Sequence, residues 1–522
     1  MALRDPRGAF CMPEGQAELK GRGTVLKRVF VAPDPGRLRL RGALRAVLGI
    51  GLAVALCGVT GSSLAGAVAG GLAALLALFT VTDATVRGQL VTTALLPAVG
   101  LPVLALAATL HDHPAARGAA FLAVVGAGVY ARRWGARGHA LGVFGFMAFF
   151  MAQFLRTVPA RLPELYGAVL LALLASSAVR FGLWCYERRM PPAGAPVPSA
   201  GRGLARPTTR QAVQAVVAAA FALGVGSLLS QERWYWAVGA AWWIFVNTTS
   251  RGETLIRGYR RVLGTVIGIA LGASVVVPLH GAPVPTVVLL AVCVFVIFYS
   301  AAVSYTWMML AVTVMAELLY GMFGVLDQHL VVLRLAETGI GAIGAALAVL
   351  LVLPITTHAT TDAWIVRAIQ CVHACTTEAA ARLNGSAAAD PAARVAELET
   401  VLNKVRLSLT PLLHPLNPLR ARGRRARQVL AALNTCAREV RGLAAIASDP
   451  VASCDNRLAV ACERVERAVE ALTSPEPRRI TVQAGTPPLE EPVLAHLHGL
   501  ERALAELAAP LLHPRASNPV RV

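Results

Sequence analysis

Between Ala43 and Leu353 the chain passes repeatedly through long apolar runs, more than any soluble core could absorb. Twelve can be read, at about 43–60, 62–81, 90–110, 117–131, 138–155, 162–184, 211–229, 234–249, 262–279, 286–300, 304–320 and 331–353. In lipid every backbone N–H and C=O must be satisfied within the segment, so such runs form helices. A comfortable crossing takes about 20 residues, and several runs are shorter. The expectation is therefore ten to twelve transmembrane helices. Composition agrees: 56% of the 522 residues are hydrophobic and 15% are charged, against about 25% charged in soluble domains. The fold class is an all-α polytopic membrane protein. Residues 1–42 are basic and broken by Pro and Gly, with no apolar run leading to a cleavage site, so no secretory signal peptide is expected.

Orientation follows from Arg in the short loops. With the N-terminus inside, inner loops hold Arg87, Arg132, Arg133, Arg137, Arg188, Arg189, Arg202, Arg206, Arg210, Arg251, Arg257, Arg260 and Arg261. Outer loops hold Arg117, Arg156, Arg161 and Arg233. Both termini then fall in the cytoplasm, and the expected location is the inner or plasma membrane. The net charge of +20 is explained by these arginines beside anionic headgroups, so the lipid bilayer and not nucleic acid is the expected macromolecular partner.

Catalytic signatures are missing. The three lysines are Lys20, Lys27 and Lys404, none in a G-x-x-x-x-G-K-[ST] loop, and there is no H-E-x-x-H or G-x-S-x-G. The run "GIGAIG", Gly339 to Gly344, matches G-x-G-x-x-G but lies inside an apolar helix, where small residues serve close helix approach. Cys371, His373 and Cys375 make an incomplete zinc set. No cofactor, metal or enzyme activity is expected.

The apolar runs fall into two sets of six. "TDATVRGQ", Thr82 to Gln89, lies over "VNTTSRGE", Val246 to Glu253, at an offset of 164, which also sets Gly100 on Gly264. "RLPE" from Arg161 and "RLAE" from Arg334 match at an offset of 173. An even number of helices per half implies parallel repeats. The expected organisation is a basic segment 1–42, a first repeat 43–186, a Pro-rich linker 187–210, a second repeat 211–358 and a cytoplasmic helical domain 359–522. In that last part Thr361 and Asp362 read as a helix start, Asp390 and Pro391 as a second, and amphipathic stretches lie near 418–448, 453–473 and 489–511. The basic run 420–428 reads as a solvated helix start, with contact to anionic lipid as the alternative.

Candidate functional residues come from the second half. Gly264, Gly268 and Gly272 form a doubled G-x-x-x-G, a close-packing face. Arg260 and Arg261 precede it, and the expectation places them at the helix N-terminus, where free N–H groups and two guanidiniums would attract a carboxylate. Thr265 adds a hydroxyl; Asn247 and Arg251 stand just before. Glu317, Arg334 and Glu337 are ionisable groups inside spans, candidates for proton coupling or gating. Arg334 and Glu337, three apart, can pair on one face, and a neutralised structural pair is the alternative to a functional role. "QERWYWAVGAAWW", Gln231 to Trp243, reads most simply as an aromatic belt at the outer face, with a ring-binding surface as the alternative.

The stretch "ERWYWAVGAAWWIFVNTTSRGETLIRGYRRVLGTVIGIALGA", Glu232 to Ala273, resembles the fusaric acid resistance family of bacterial membrane proteins. The resemblance rests on Trp-Ala, a polar turn and arginines leading into R-x-x-G-T-x-x-G, here Arg261, Gly264, Thr265 and Gly268, and it extends over roughly 205–355. That family is similar to aromatic acid exporters and, distantly, to plant malate channels. The resemblance implies gradient-driven efflux of small organic, often aromatic, carboxylate anions. The sequence leaves open a passive anion channel, a membrane scaffold for a cytoplasmic partner, and a homo-oligomeric state.

Overall fold

In a computed structural model the described residues are 37–83, 85–184, 203–248, 251–279, 282–325, 327–353, 357–386, 388–413, 420–447, 456–473 and 492–512. They are helical, with no strand. Most of segment 1–42 and of linker 187–210, and Thr249 of the repeat match, lie outside them. The first set of helices is α1 (Leu38–Val59), α2 (Leu64–Thr80), α3 (Val86–Thr109), α4 (Pro114–Tyr130), α5 (Gly135–Phe154) and α6 (Leu162–Trp184). The second is α7 (Pro207–Leu229), α8 (Tyr235–Phe245), α9 (Arg251–Leu279), α10 (Pro283–Ser300), α11 (Tyr305–Met322) and α12 (Gln328–Leu351). Nine stretches are long and apolar enough to cross a membrane, and one of these, Pro114–Phe154, contains both α4 and α5. With the shorter α2 and α8, all twelve apolar runs are helices among the described residues. The chain is a multi-pass membrane protein.

Local chemistry sets the helix ends. Ser63 accepts from Gly66 N–H at 3.2 Å and Thr85 from Gly88 N–H at 3.0 Å, each supplying an orphan donor with an acceptor. Between α4 and α5 the chain turns at Gly135, with φ of 75°, a conformation that costs a Cβ-bearing residue far more. Gly128 and Gly142 then bring the two backbones together: a Cβ on Gly128 would lie 3.0 Å from the carbonyl oxygen of Gly142.

Two helices depart from expectation. α8 is 11 residues long, roughly 16 Å at 1.5 Å per residue, and stops at Phe245 where a run to 249 was expected. Val246 is extended and Asn247 takes φ of 60°. Arg132 Nη1 donates to the Phe245 carbonyl at 3.1 Å, closing that end. α9 runs 29 residues from Arg251, so it begins eleven residues before the expected start at Val262. Arg260 and Arg261 are therefore inside a helix that begins more than two turns earlier, and the expected helix-terminus contribution at these two residues does not exist.

The halves repeat one contact. In the first, a Cβ on Gly100 of α3 would strike the ring of Phe144 on α5. In the second, the matched Gly264 of α9 meets Thr306 and Met309 of α11: its Cβ would lie 2.6 Å from the Thr306 carbonyl oxygen. Gly268 continues the seam against Thr313 Cβ at 2.7 Å and the Leu310 carbonyl at 3.0 Å, and Gly272 meets the carboxylate of Glu317.

The chain divides into two compact units. One holds most of α1–α12; the other holds the C-terminal helices together with the first turns of α7 and α9. The C-terminal helices are α13 (Thr357–Leu383), α14 (Pro391–Leu413), α15 (Arg420–Ala447), α16 (Asn456–Thr473) and α17 (Pro492–Leu512). Asp390 caps α14 as expected, accepting from Ala393 N–H at 3.1 Å. α13 starts at Thr357, so Thr361 and Asp362 lie within it and do not begin it. Ile369, Val405, Cys436, Val465 and Leu504 are buried from five different helices and form one core. Cys371 and Cys375 belong to that core while His373 is half-buried, so the three do not converge. Burial alone would raise the Glu439 carboxyl on α15, but hydrogen bonds from His496 of α17 and from Arg438 hold it below its ordinary value.

The α9–α11 seam gives a direct test. Gly268→Leu forces a side chain into Thr313 and a backbone carbonyl, neither of which can swing away. Overpacking of this kind costs about 1–3 kcal/mol or more. The expected outcome is a lower melting temperature and folded yield in detergent, measured by fluorescence-detected size exclusion, while Gly339→Leu, at a glycine with open space around it, has little effect.

Candidate functional site

The buried charges gather where α8, α11 and α12 meet. Close approach of α8 and α12 comes from Gly341, whose Cβ would lie 2.6 Å from the Ala237 carbonyl oxygen. Gly344 likewise admits Phe221 of α7. The "GIGAIG" run is thus a packing surface inside α12. Its approach sets Arg334 and Glu337 opposite the aromatic segment of α8.

Arg334 is buried, and its guanidinium carbon lies 3.3 Å from the centre of the Trp236 ring. The Arg334–Glu337 ion pair that the spacing allows is not formed: neither Glu337 oxygen has a hydrogen-bond partner among the described residues, although Glu337 is 0% exposed. The ring face, with its negative quadrupole, holds the cation. Trp236 is fixed in turn, since its Nε1–H donates to Tyr320 Oη at 2.6 Å. Phe150 of α5 meets Trp236 edge-on at 4.8 Å, and Phe154 lies 5.4 Å from Tyr320. Gly239 makes room for Phe150, whose ring a Cβ there would meet at 2.8 Å.

The aromatic run is therefore not an interfacial belt. Trp234, Tyr235 and Trp242 are buried, and Trp242 stacks on Phe146 at 3.8 Å. Hydropathy cannot distinguish a ring at a headgroup from a ring in a bundle; the Phe-rich face of α5 decides it here.

Glu317 of α11 is 5% exposed and packs on Gly272, with Oε2 unpartnered among the described residues. It does not reach an interface. Its charge and that of Arg334 lie within interaction range, and so do Arg334 with Glu337 and with Arg261. Arg261 and Thr265 are buried, whereas Arg260 is half-buried and Arg251 and Asn247 are exposed. Asn247 and Arg251 group with the second compact unit; Arg260, Arg261 and Thr265 belong to the first. Arg261 Nη1 reaches Met309 Sδ at 3.1 Å and Tyr305 Oη at 3.5 Å.

One face of α11 connects these groups. Tyr305, Met309, Thr313, Glu317 and Tyr320 recur at helical spacing and all are buried. The face spans about 22 Å at 1.5 Å per residue, roughly three quarters of the ~30 Å bilayer core. Arg257 and Tyr320 were not expected as site residues. For Arg257 the signal was present: it is four residues from Arg261 and shares its face, whereas Arg260 is turned away by one residue.

Residues 217–349 match the family model Fusaric acid resistance protein-like. The matched segment contains α8 to α11, most of α7 and nearly all of α12, and with it Trp236, Glu317, Arg334 and Glu337. The resemblance read from Glu232 to Ala273 falls inside this fusaric acid resistance protein-like domain. No curated protein and no solved structure matches the chain. The domain and the polytopic helical architecture point to membrane transport of the efflux type and away from an enzyme.

The unpaired state of Glu337 has a consequence for stability. Glu337→Gln replaces a buried carboxyl that no donor satisfies among the described residues, so the melting temperature in detergent should stay level or rise. Trp236→Ala removes the ring beneath Arg334 and the edge contact with Phe150; a buried cation–π contact alone is worth about 2 kcal/mol, and the melting temperature should fall by several degrees.

Proposed function

We propose that the protein exports small aromatic carboxylate anions, driven by an ion gradient, and that Arg334 and Trp236 form the substrate station. The observation that carries this reading is a guanidinium buried in the helical bundle on an aromatic face, with no carboxylate within ion-pair distance among the described residues. Such a group presents a planar donor fork to an incoming carboxylate, and the rings of Trp236, Tyr320, Phe150 and Phe154 offer surface to an aromatic ring. The name of the matched family supports an acid of the fusaric type, a carboxylate on an aromatic ring.

Glu317 and Glu337 are the proton carriers in this reading. An ionised carboxylate buried without donors is expensive, and both groups lie within interaction range of Arg334. Ionisable groups in membrane interiors mark proton relays and substrate paths. Orientation with both termini cytoplasmic, in the inner membrane, rests on the arginine bias of the loops.

Transport in proteoliposomes tests this. Wild type should move radiolabelled benzoate down an imposed proton gradient with a matching pH change inside the vesicles. Arg334→Gln should lower benzoate flux at least about tenfold, the scale of one lost charge-assisted hydrogen bond. Glu337→Gln should retain benzoate binding and lose the coupled pH change. Benzoate current in wild type without proton movement would make the protein a channel and remove the role of Glu317 and Glu337. Normal flux in Arg334→Gln would remove the proposed station.

A further inference from the structure

A second group of cations converges elsewhere in the same unit, near the end of α9 that the loop arginines assign to the cytoplasm. Arg257 and Arg261 project from one face of α9. The Arg257 guanidinium lies 4.0 Å from the centre of the Tyr305 ring. Arg261 is 8% exposed and meets the Tyr305 hydroxyl and the Met309 sulfur. The Nε atoms of both are buried and have no hydrogen-bond partner among the described residues. Neither guanidinium has a carboxylate within ion-pair distance among them. His139 of α5 interacts electrostatically with Arg257 and with Arg132. Arg132 itself is held in place by its bond to the Phe245 carbonyl at the end of α8.

Two guanidiniums of α9 thus meet at Tyr305, and the His139 imidazole of α5 and Arg132 of the turn before it lie within electrostatic range of one another. Charges of one sign in a partly dry site repel strongly, because the local dielectric is far below that of water. A site of this kind gains most from an oxyanion, which accepts donors from several cations at once. From these contacts we infer that Arg257, Arg261 and His139 form a second anion-binding station, distinct from Arg334, that receives the carboxylate of a small organic acid before it moves along α11. The order is set by the helix: Tyr305 and Met309 precede Glu317 and Tyr320 on one face, and Arg261 already lies within electrostatic range of Arg334. The inference rests on the reading of the protein as an organic-anion transporter, and it recruits residues of both halves, which the matched domain alone does not supply.

Binding of benzoate to the purified full chain in detergent, followed by isothermal titration, tests it. Two sites are expected in wild type. Arg257→Gln should weaken one of them at least about tenfold, the loss of one charge-assisted contact, and leave the site that Arg334→Gln abolishes. Arg257→Lys keeps the charge and loses the fork, so it should weaken the same site by less; it also serves if the Gln variant folds poorly. Benzamide, neutral and of the same shape, should bind neither. Wild-type stoichiometry and affinity in both Arg257 variants would overturn the proposal. So would loss of the second site in nanodiscs containing phosphatidylglycerol with retention in neutral nanodiscs, since the occupant would then be a lipid phosphate. A single site abolished by Arg334→Gln would sink this inference and leave the export reading standing. Two sites with the expected variant pattern but no benzoate flux in proteoliposomes would do the reverse.

Discussion

The seam between α9 and α11 is the contact on which the interior of the second half depends. In lipid there is no hydrophobic gain from helix association, so close van der Waals packing must supply it. Gly264, Gly268 and Gly272 let α9 lie directly on the backbone of α11. That approach turns one face of α11 toward its neighbours and fixes what stands at each level. Tyr305 and Met309 meet Arg257 and Arg261, and Glu317 is pressed onto Gly272. A methyl group at Gly272 alone would displace the Glu317 carboxylate. Packing and charge placement are one arrangement here: Arg257 and Arg261 stand on the helix that carries the close-packed glycine face.

A second contact of the same kind, Gly341 against Ala237 and Ala240, carries Arg334 and Glu337 to the aromatic segment. The polar interior is therefore assembled by small residues on α9 and α12 and by large rings on α5 and α8. Arg334 rests on a ring, and the Glu337 oxygens have no hydrogen-bond partner among the described residues. A structural ion pair would have joined them, since they lie three residues apart on one helix. In the proposed reading, their separation leaves the guanidinium available to a substrate carboxylate.

Much of this was legible in the sequence, for identifiable reasons. Hydropathy marks a membrane helix through some twenty residues at once, so all twelve runs were readable, and the glycine face showed through its spacing. Asp390 announced its cap. The failures share a cause: they concern direction and partner, which a linear pattern does not carry. The start of α9 was missed because its first turns, "RGETLIRGYR", are polar enough to read as a loop. The aromatic belt was misread because rings in a bundle and rings at a headgroup have the same composition. Arg260 was preferred to Arg257 through adjacency, where the i, i+4 rule favours Arg257 beside Arg261. The Arg334–Glu337 spacing permits a pair, and only the proximity of Trp236, more than ninety residues earlier in the chain, shows why none forms.

The central claim is that Arg334 is held by Trp236 so that it can take a substrate carboxylate. Infrared difference spectroscopy on the purified protein, with benzoate carrying a carbon-13 carboxylate, measures this directly. The account predicts that binding shifts the labelled carboxylate stretch toward that of a guanidinium-paired carboxylate, together with a change in the indole bands of Trp236 that a Trp236→Phe variant identifies, and that the shifted component assigned to this station disappears in Arg334→Gln. A labelled band and indole signal in Arg334→Gln identical to those of wild type would contradict it.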